Sequence, residues 1–141
     1  MEHPLLSLRE LSRARCFDLL ATVGVGRVGV SVRALPVILP VGYVVAGERV
    51  IFRSAPGVKL DAALHRAVVA FETDRYDPTG AWGWNVLVQG MASEISGPAE
   101  LTEARARLAR EWRFGPEEEV RFISIEGTFV SGRAFGPVPA P

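Results

Sequence analysis

The 141-residue sequence holds one cysteine, two histidines and a single lysine, and each shortage removes a class of chemistry. Cys16 has no second cysteine to pair with, so no disulfide framework exists within the chain and a reducing compartment is expected. His3 and His65 are the only imidazoles, which leaves the serines without an obvious activating base and argues against a hydrolase. Sixteen Lys and Arg balance sixteen Asp and Glu, so there is no basic footprint for nucleic acid and no like-charge block for a membrane surface. No apolar run reaches the roughly 20 residues that span a bilayer. Met1-Glu2-His3-Pro4 lacks the cationic start of a signal peptide, and a cytoplasmic location is expected.

What is present is a chain rich in β-branched residues, glycine and proline, long enough to bury roughly 68% of the surface its unfolded form exposes. A single domain over residues 1–141 is expected. Ser7-Leu8-Arg9-Glu10 fits a capping box, and Leu8, Leu11, Cys16, Leu19 and Leu20 share one side, predicting an amphipathic helix to about Thr22. Cys16 then reads as a small buried hydrophobe. Gly24, Gly26 and Gly29 have the spacing of a dinucleotide fingerprint, but a helix precedes them and the Val/Gly alternation reads as a strand, so that function is set aside.

Arg33-Ala34 is expected to turn the chain into a strand from Pro36 to Val45, apolar on both alternating faces, as in a barrel wall or an interface. Pro40 must interrupt pairing on one side, and Gly42 lets a flat ligand or another backbone come close. A hairpin turn at Ala46-Gly47-Glu48 leads to the strand Arg49 to Phe52. Residues 67–72 and the long run Trp82 to Ile95 read as further strands, and Trp84 suits either core packing or a ligand wall. Glu72, Asp74 and Asp77 border a polar loop, Asp74 to Gly80, and read as solvated acids rather than a metal or acid–base set. Glu100 to Trp112 is expected as a covering helix, Glu117 to Glu119 as a solvated loop, and Val120 to Ile125 and Thr128 to Phe135 as closing strands before a tail, Pro137 to Pro141. The element order suggests an antiparallel barrel with helices at its openings.

One segment asks for a ligand. After the strand ending at Phe52, a short helix is expected from Leu60, Ala63 and Leu64, and Arg53 and Lys59 flank its N-terminus. Cations at that end are unfavourable by about 0.3–1 kcal/mol each unless an anion offsets them, and a phosphate is the natural candidate. Lys59 is the one lysine of the chain.

Taken together, Leu39 to Tyr43, Phe52 to Leu60, Val69 to Glu72, Gly83 to Gly90 and Gly132-Arg133 resemble, in order and spacing, the pyridoxamine 5′-phosphate oxidase-like proteins. The resemblance covers nearly the whole chain, especially against short actinobacterial members. It implies a mainly β fold, a flavin-binding antiparallel split β-barrel with helices covering its openings. It further implies a homodimer binding FMN, or a deazaflavin, between subunits and acting as an oxidoreductase on a small molecule, the flavin carrying the chemistry without a catalytic side chain. On that resemblance Arg53, Ser54 and Lys59, with Leu60 closing the segment, hold the phosphate. Val41, Gly42 and Tyr43 lie along the isoalloxazine, and Trp84, Asn85 and Val86 approach it. Gly42 stands where such proteins often carry asparagine, and Asn85 where serine is common. The alternative is a non-catalytic protein that binds or senses a flavin or another flat ligand.

Overall fold

The computed structural model describes residues 7–54, 64, 66–108 and 120–140. Eight strands and two helices occur among them: β1 (Arg9–Glu10), α1 (Arg13–Leu20), β2 (Val25–Val32), β3 (Leu35–Ala46), β4 (Arg49–Ser54), β5 (Val68–Tyr76), β6 (Gly83–Glu94), α2 (Pro98–Arg107), β7 (Arg121–Glu126) and β8 (Phe129–Phe135). All pairings are antiparallel, and six strands close on themselves in the ring β2-β3-β4-β7-β6-β5. Closure removes the free edges that an open sheet would present. The twelve-residue β6 serves two neighbours on one edge: Gly83 to Gln89 pair with β8, while Ala92 to Glu94 pair with β7. β8 and β1 therefore leave the ring as a flap.

Period-two alternation sorts the side chains. Val28, Val30, Val41, Tyr43, Val50, Phe52, Val69, Phe71, Trp84, Val86 and Val88 fill the barrel. Tyr43 meets the Phe71 ring edge-on at 4.7 Å and donates its hydroxyl to the Leu20 carbonyl at 2.5 Å, tying the end of α1 to the core. Cys16, Leu19 and Leu20 complete that contact. A second cluster forms outside β4 and β7, where Ile51 and Phe122 are covered by Ala104 and Leu108 of the α2 region. No helix among the described residues is long and apolar enough to cross a membrane.

Two local expectations give way. The helix does not begin at Ser7, because Arg9 and Glu10 pair with Ala134 and Arg133 and Leu11 N–H donates to the Gly132 carbonyl at 2.9 Å. The open edge of β8 outcompetes a capping box, and Ser12 caps α1 instead by accepting from Arg15 N–H. Asp74 to Tyr76 are not loop but the end of β5, paired with Asn85, Trp84 and Gly83. The turn at Arg33-Ala34 forms as expected, both residues in the left-handed region at φ 51° and 64°. The short helix expected around 60–64 and the run Glu117 to Glu119 lie outside the described residues, except for Leu64, which is buried in the core.

Gly26 has a packing role. A Cβ there would lie 2.4 Å from Cζ of Phe71 and 2.9 Å from the Glu72 carbonyl, so only hydrogen lets the aromatic ring fill the barrel. Gly26 and Gly29 lie in the barrel strand β2 and Gly24 just precedes it, so the Gly-x-Gly-x-x-Gly spacing opens no helix, as its context suggested.

Candidate functional site

The barrel is split where β3 and β4 part. β3 pairs with β2 from Leu35 to Gly42 but with β4 only from Tyr43 to Ala46. β4 continues through Arg53 and Ser54 against Phe122 and Arg121 of β7. Tyr43 N–H donates to the Gly24 carbonyl at 3.0 Å. Because backbone groups alternate between the two edges of a strand, Pro36, Pro40 and Gly42 turn theirs away from β2. The missing donor of Pro40 therefore costs no ladder bond, in line with an interruption on one side. Gly42 directs its peptide groups to the splayed edge, where one further step of the β3–β4 ladder would have met Arg53.

Arg53 is half-buried there and stacks over the Phe122 ring at 5.8 Å. Its Nε is fully enclosed and has no hydrogen-bond partner among the described residues. A buried N–H of that kind costs about 1–3 kcal/mol if left unmade, so the position is suited to an acceptor brought by a ligand. Ser54, next along, is buried on the inner side.

The remaining expected site residues divide by face. Side chains of Val41, Tyr43, Trp84 and Val86 point into the core and are 8%, 2%, 2% and 0% exposed. To a ligand outside the barrel they offer backbone only, and Trp84 is core packing. Gly42 and Asn85 lie on the outer face, Gly42 opposite Val25, and Asn85 between Asp74 and Arg133. Lys59 and Leu60 lie outside the described residues.

The structure adds a group that sequence reasoning left in solvent. Glu72 and Asp74 stand two residues apart on the outer face of β5, and one guanidinium nitrogen of Arg27 on β2 reaches both, at 3.3 and 3.6 Å. Partial burial, helped by the hydrogen bond and charge of Asp74 and opposed by Arg27, pushes the Glu72 carboxyl up to about 7. Continuing the strand alternation past Glu72 to Asp74 and Tyr76 would have found the pair. Asp77 has a different role: it accepts from the Thr79 hydroxyl and from Ala81 N–H, and these bonds hold its carboxyl below the usual range. Cys16 is buried beneath Gly132, and burial pushes its thiol up against the weaker pull of Arg13.

A closed six-strand antiparallel barrel that opens between β3 and β4 is a split barrel. The chain belongs to the pyridoxamine 5′-phosphate oxidase family, whose profile matches residues 12–134. An uncharacterized protein of Mycobacterium tuberculosis is 37% identical over 128 residues, 87% of this chain and 82% of that protein. Among solved structures, the FAD binding protein from Mycobacterium smegmatis is 33% identical with a TM-score of 0.74, covering 91% of this chain and 98% of its own. An FAD-binding protein from Mesorhizobium loti superposes with a TM-score of 0.77 over 94% of this chain and 99% of its own; at 23% identity that likeness concerns the fold.

Proposed function

We propose that this chain binds a phosphate-bearing flavin at the split between β3 and β4 and works with it as an oxidoreductase, as a homodimer with the cofactor between subunits. FMN is the first choice, with FAD or a deazaflavin as alternatives. The enclosed Nε of Arg53, which has no partner among the described residues, carries the reading: it is a donor suited to a ligand acceptor at the point where the ladder opens. Family membership and the Mycobacterium smegmatis relative named for FAD binding support it.

The parts divide the work. Arg53, with Lys59 and the backbone of Ser54 from the same segment, would hold the phosphate, a charge-assisted contact roughly twice as strong as a neutral one. Gly42 leaves room for a flat ring against β3 and offers its peptide groups as ring contacts. Asn85 supplies a side-chain amide on the same outer face. When bound, the flavin supplies the hydride or electron transfer, and the protein positions it and limits access by water.

The test is a visible absorption spectrum of the protein as purified and after adding FMN, FAD or a deazaflavin, followed by reduction with a nicotinamide donor. Binding with a shifted flavin band, and turnover with an electron acceptor, is the expected result. An intact fold that binds none of the three ends this reading. Binding without turnover leaves the alternative of a flavin carrier or sensor.

A further inference from the structure

A group of charged side chains on the outer face of the barrel borders the proposed ring position. Gly42 on β3 pairs with Val25 on β2, and Arg27 stands two residues further along β2. Arg27 is therefore a diagonal neighbour of Gly42 on the same face, about 7–8 Å away and within reach of a long side chain. The β3 residues on that side are Pro40 and Gly42, neither of which carries a long side chain. On its other side Arg27 meets β5. One guanidinium nitrogen lies 3.3 Å from Glu72 and 3.6 Å from Asp74, and the side chain is 49% exposed. A single nitrogen shared between two carboxylates is a looser contact than a two-pronged pair, so the guanidinium can turn toward β3 at small cost.

The surroundings hold Glu72 near a balance. The charged or titratable groups that face it are Arg27 from β2 and Asp74 and Tyr76 from β5. From β6 the uncharged Leu87 lies opposite Glu72 and Asn85 opposite Asp74, with Arg133 of β8 and Glu10 of β1 beyond Asn85. Partial burial and Asp74 favour the protonated carboxyl, Arg27 opposes it, and the carboxyl titrates at about 7. A change of one charge nearby then decides whether Glu72 carries a proton. A metal does not explain the group, because no cluster of three metal-ligating side chains occurs among the described residues.

We propose that Arg27, Glu72 and Asp74 form a redox-linked proton store for the bound flavin: Arg27 turns from the carboxylates to the ring when the ring gains negative charge, and Glu72 then takes up a proton. The inference rests on the reading of a flavin at the split and adds what these three residues do for it. A nicotinamide donor delivers a hydride, two electrons and one proton, so the ring becomes one unit more negative. Arg27 supplies the countercharge. Glu72, left beside Asp74 without its cation, takes one proton from solvent, and the total charge of ring and side chains stays the same. That constancy matters because an uncompensated charge in a partly buried site is costly. When an acceptor removes the electron pair, Arg27 returns to the carboxylates and Glu72 releases its proton to solvent.

Spectroelectrochemical titration of the FMN-loaded protein from pH 6 to pH 9 tests the proposal. For a two-electron couple each proton taken up contributes about 30 mV per pH unit. Above pH 7, where Glu72 is ionised in the oxidised protein, the wild-type potential should fall more steeply than that, toward about 59 mV per unit for two protons. Glu72→Gln, which keeps the size of the side chain and the strand pairing, should show about 30 mV per unit there. Arg27→Gln should lower the potential by about 30 mV or more, a tenfold loss in the reduction equilibrium. At pH 8 the reduced-minus-oxidised infrared difference spectrum should show a protonated carboxyl in wild type that Glu72→Gln lacks. Equal slopes in wild type and Glu72→Gln, or an unchanged potential in Arg27→Gln, overturn the proton store while leaving the cofactor site intact. A steep slope lost in Asp74→Asn but kept in Glu72→Gln overturns the choice of Glu72. Folded protein that binds no flavin overturns the cofactor reading and this one with it.

Discussion

Replacing Arg53 with methionine separates the cost of an enclosed donor from its use. In the free protein the Nε of Arg53 is shielded from water and lacks a hydrogen-bond partner among the described residues, at a cost of about 1–3 kcal/mol. The stacking of the guanidinium over Phe122 at 5.8 Å returns about 0.5–1 kcal/mol. Methionine keeps most of the volume and can still pack on Phe122, so the free protein should be unchanged or stabilised by up to about 2 kcal/mol in urea denaturation. The phosphate-bearing ligand should behave oppositely. Losing a charge-assisted bond of about 1.5–3 kcal/mol raises the Kd for FMN by roughly 10- to 150-fold. Riboflavin, which has no phosphate, is the control and should lose little. Fluorescence titration of both ligands against wild type and Arg53→Met gives the comparison. Equal losses for FMN and riboflavin, or a free protein destabilised by more than about 1 kcal/mol, would refute the assignment of Arg53 as a phosphate donor held ready at the split.

The Glu72 carboxyl makes stability depend on pH. Because the fold raises its pKa from 4.5 to about 7, the stabilising protonated form is fully present below 4.5 and lost as pH rises through 7. Urea midpoints should therefore fall more steeply between pH 5 and pH 8 for wild type than for Glu72→Gln, and identical slopes would remove Glu72 from the account. At Gly26, alanine places a methyl against Phe71 and should cost about 1–3 kcal/mol, with much of the loss recovered in the double variant Gly26→Ala/Phe71→Leu. Chemical denaturation of the two single variants and the double variant checks this, and strict additivity would mean the two residues do not share the space.

The order of β2 to β8 and the existence of both described helices were legible because they rest on local regularities. Alternating apolar residues from Val25 to Val32 and from Leu35 to Ala46, the turn at Arg33-Ala34 and the capped pattern before Leu19-Leu20 are all written within a few residues of one another. The start of α1 was not legible. Ser7 and Ser12 are both acceptable caps, and the choice between them depends on the edge of β8 more than a hundred residues away. The end of β5 failed for a related reason: Asp74-Arg75-Tyr76 reads as polar loop until β6 is there to pair with it.

The candidate site divides along the same line. Before any fold forms, an arginine and the one lysine already bracket an expected helix start, a glycine interrupts an apolar strand, and the family pattern runs through them. Charge, residue size and spacing are properties of the chain before it folds. Which neighbours face which side is set by the folded barrel. Tyr43 and Trp84 go inward because the barrel closes around them, Gly42 and Arg53 are left at the place where two strands part, and Arg27 meets Glu72 and Asp74 across β2 and β5. Ring closure and strand register are set by contacts far apart in sequence, and a strand's two faces cannot be named until the register has chosen one of them for the core.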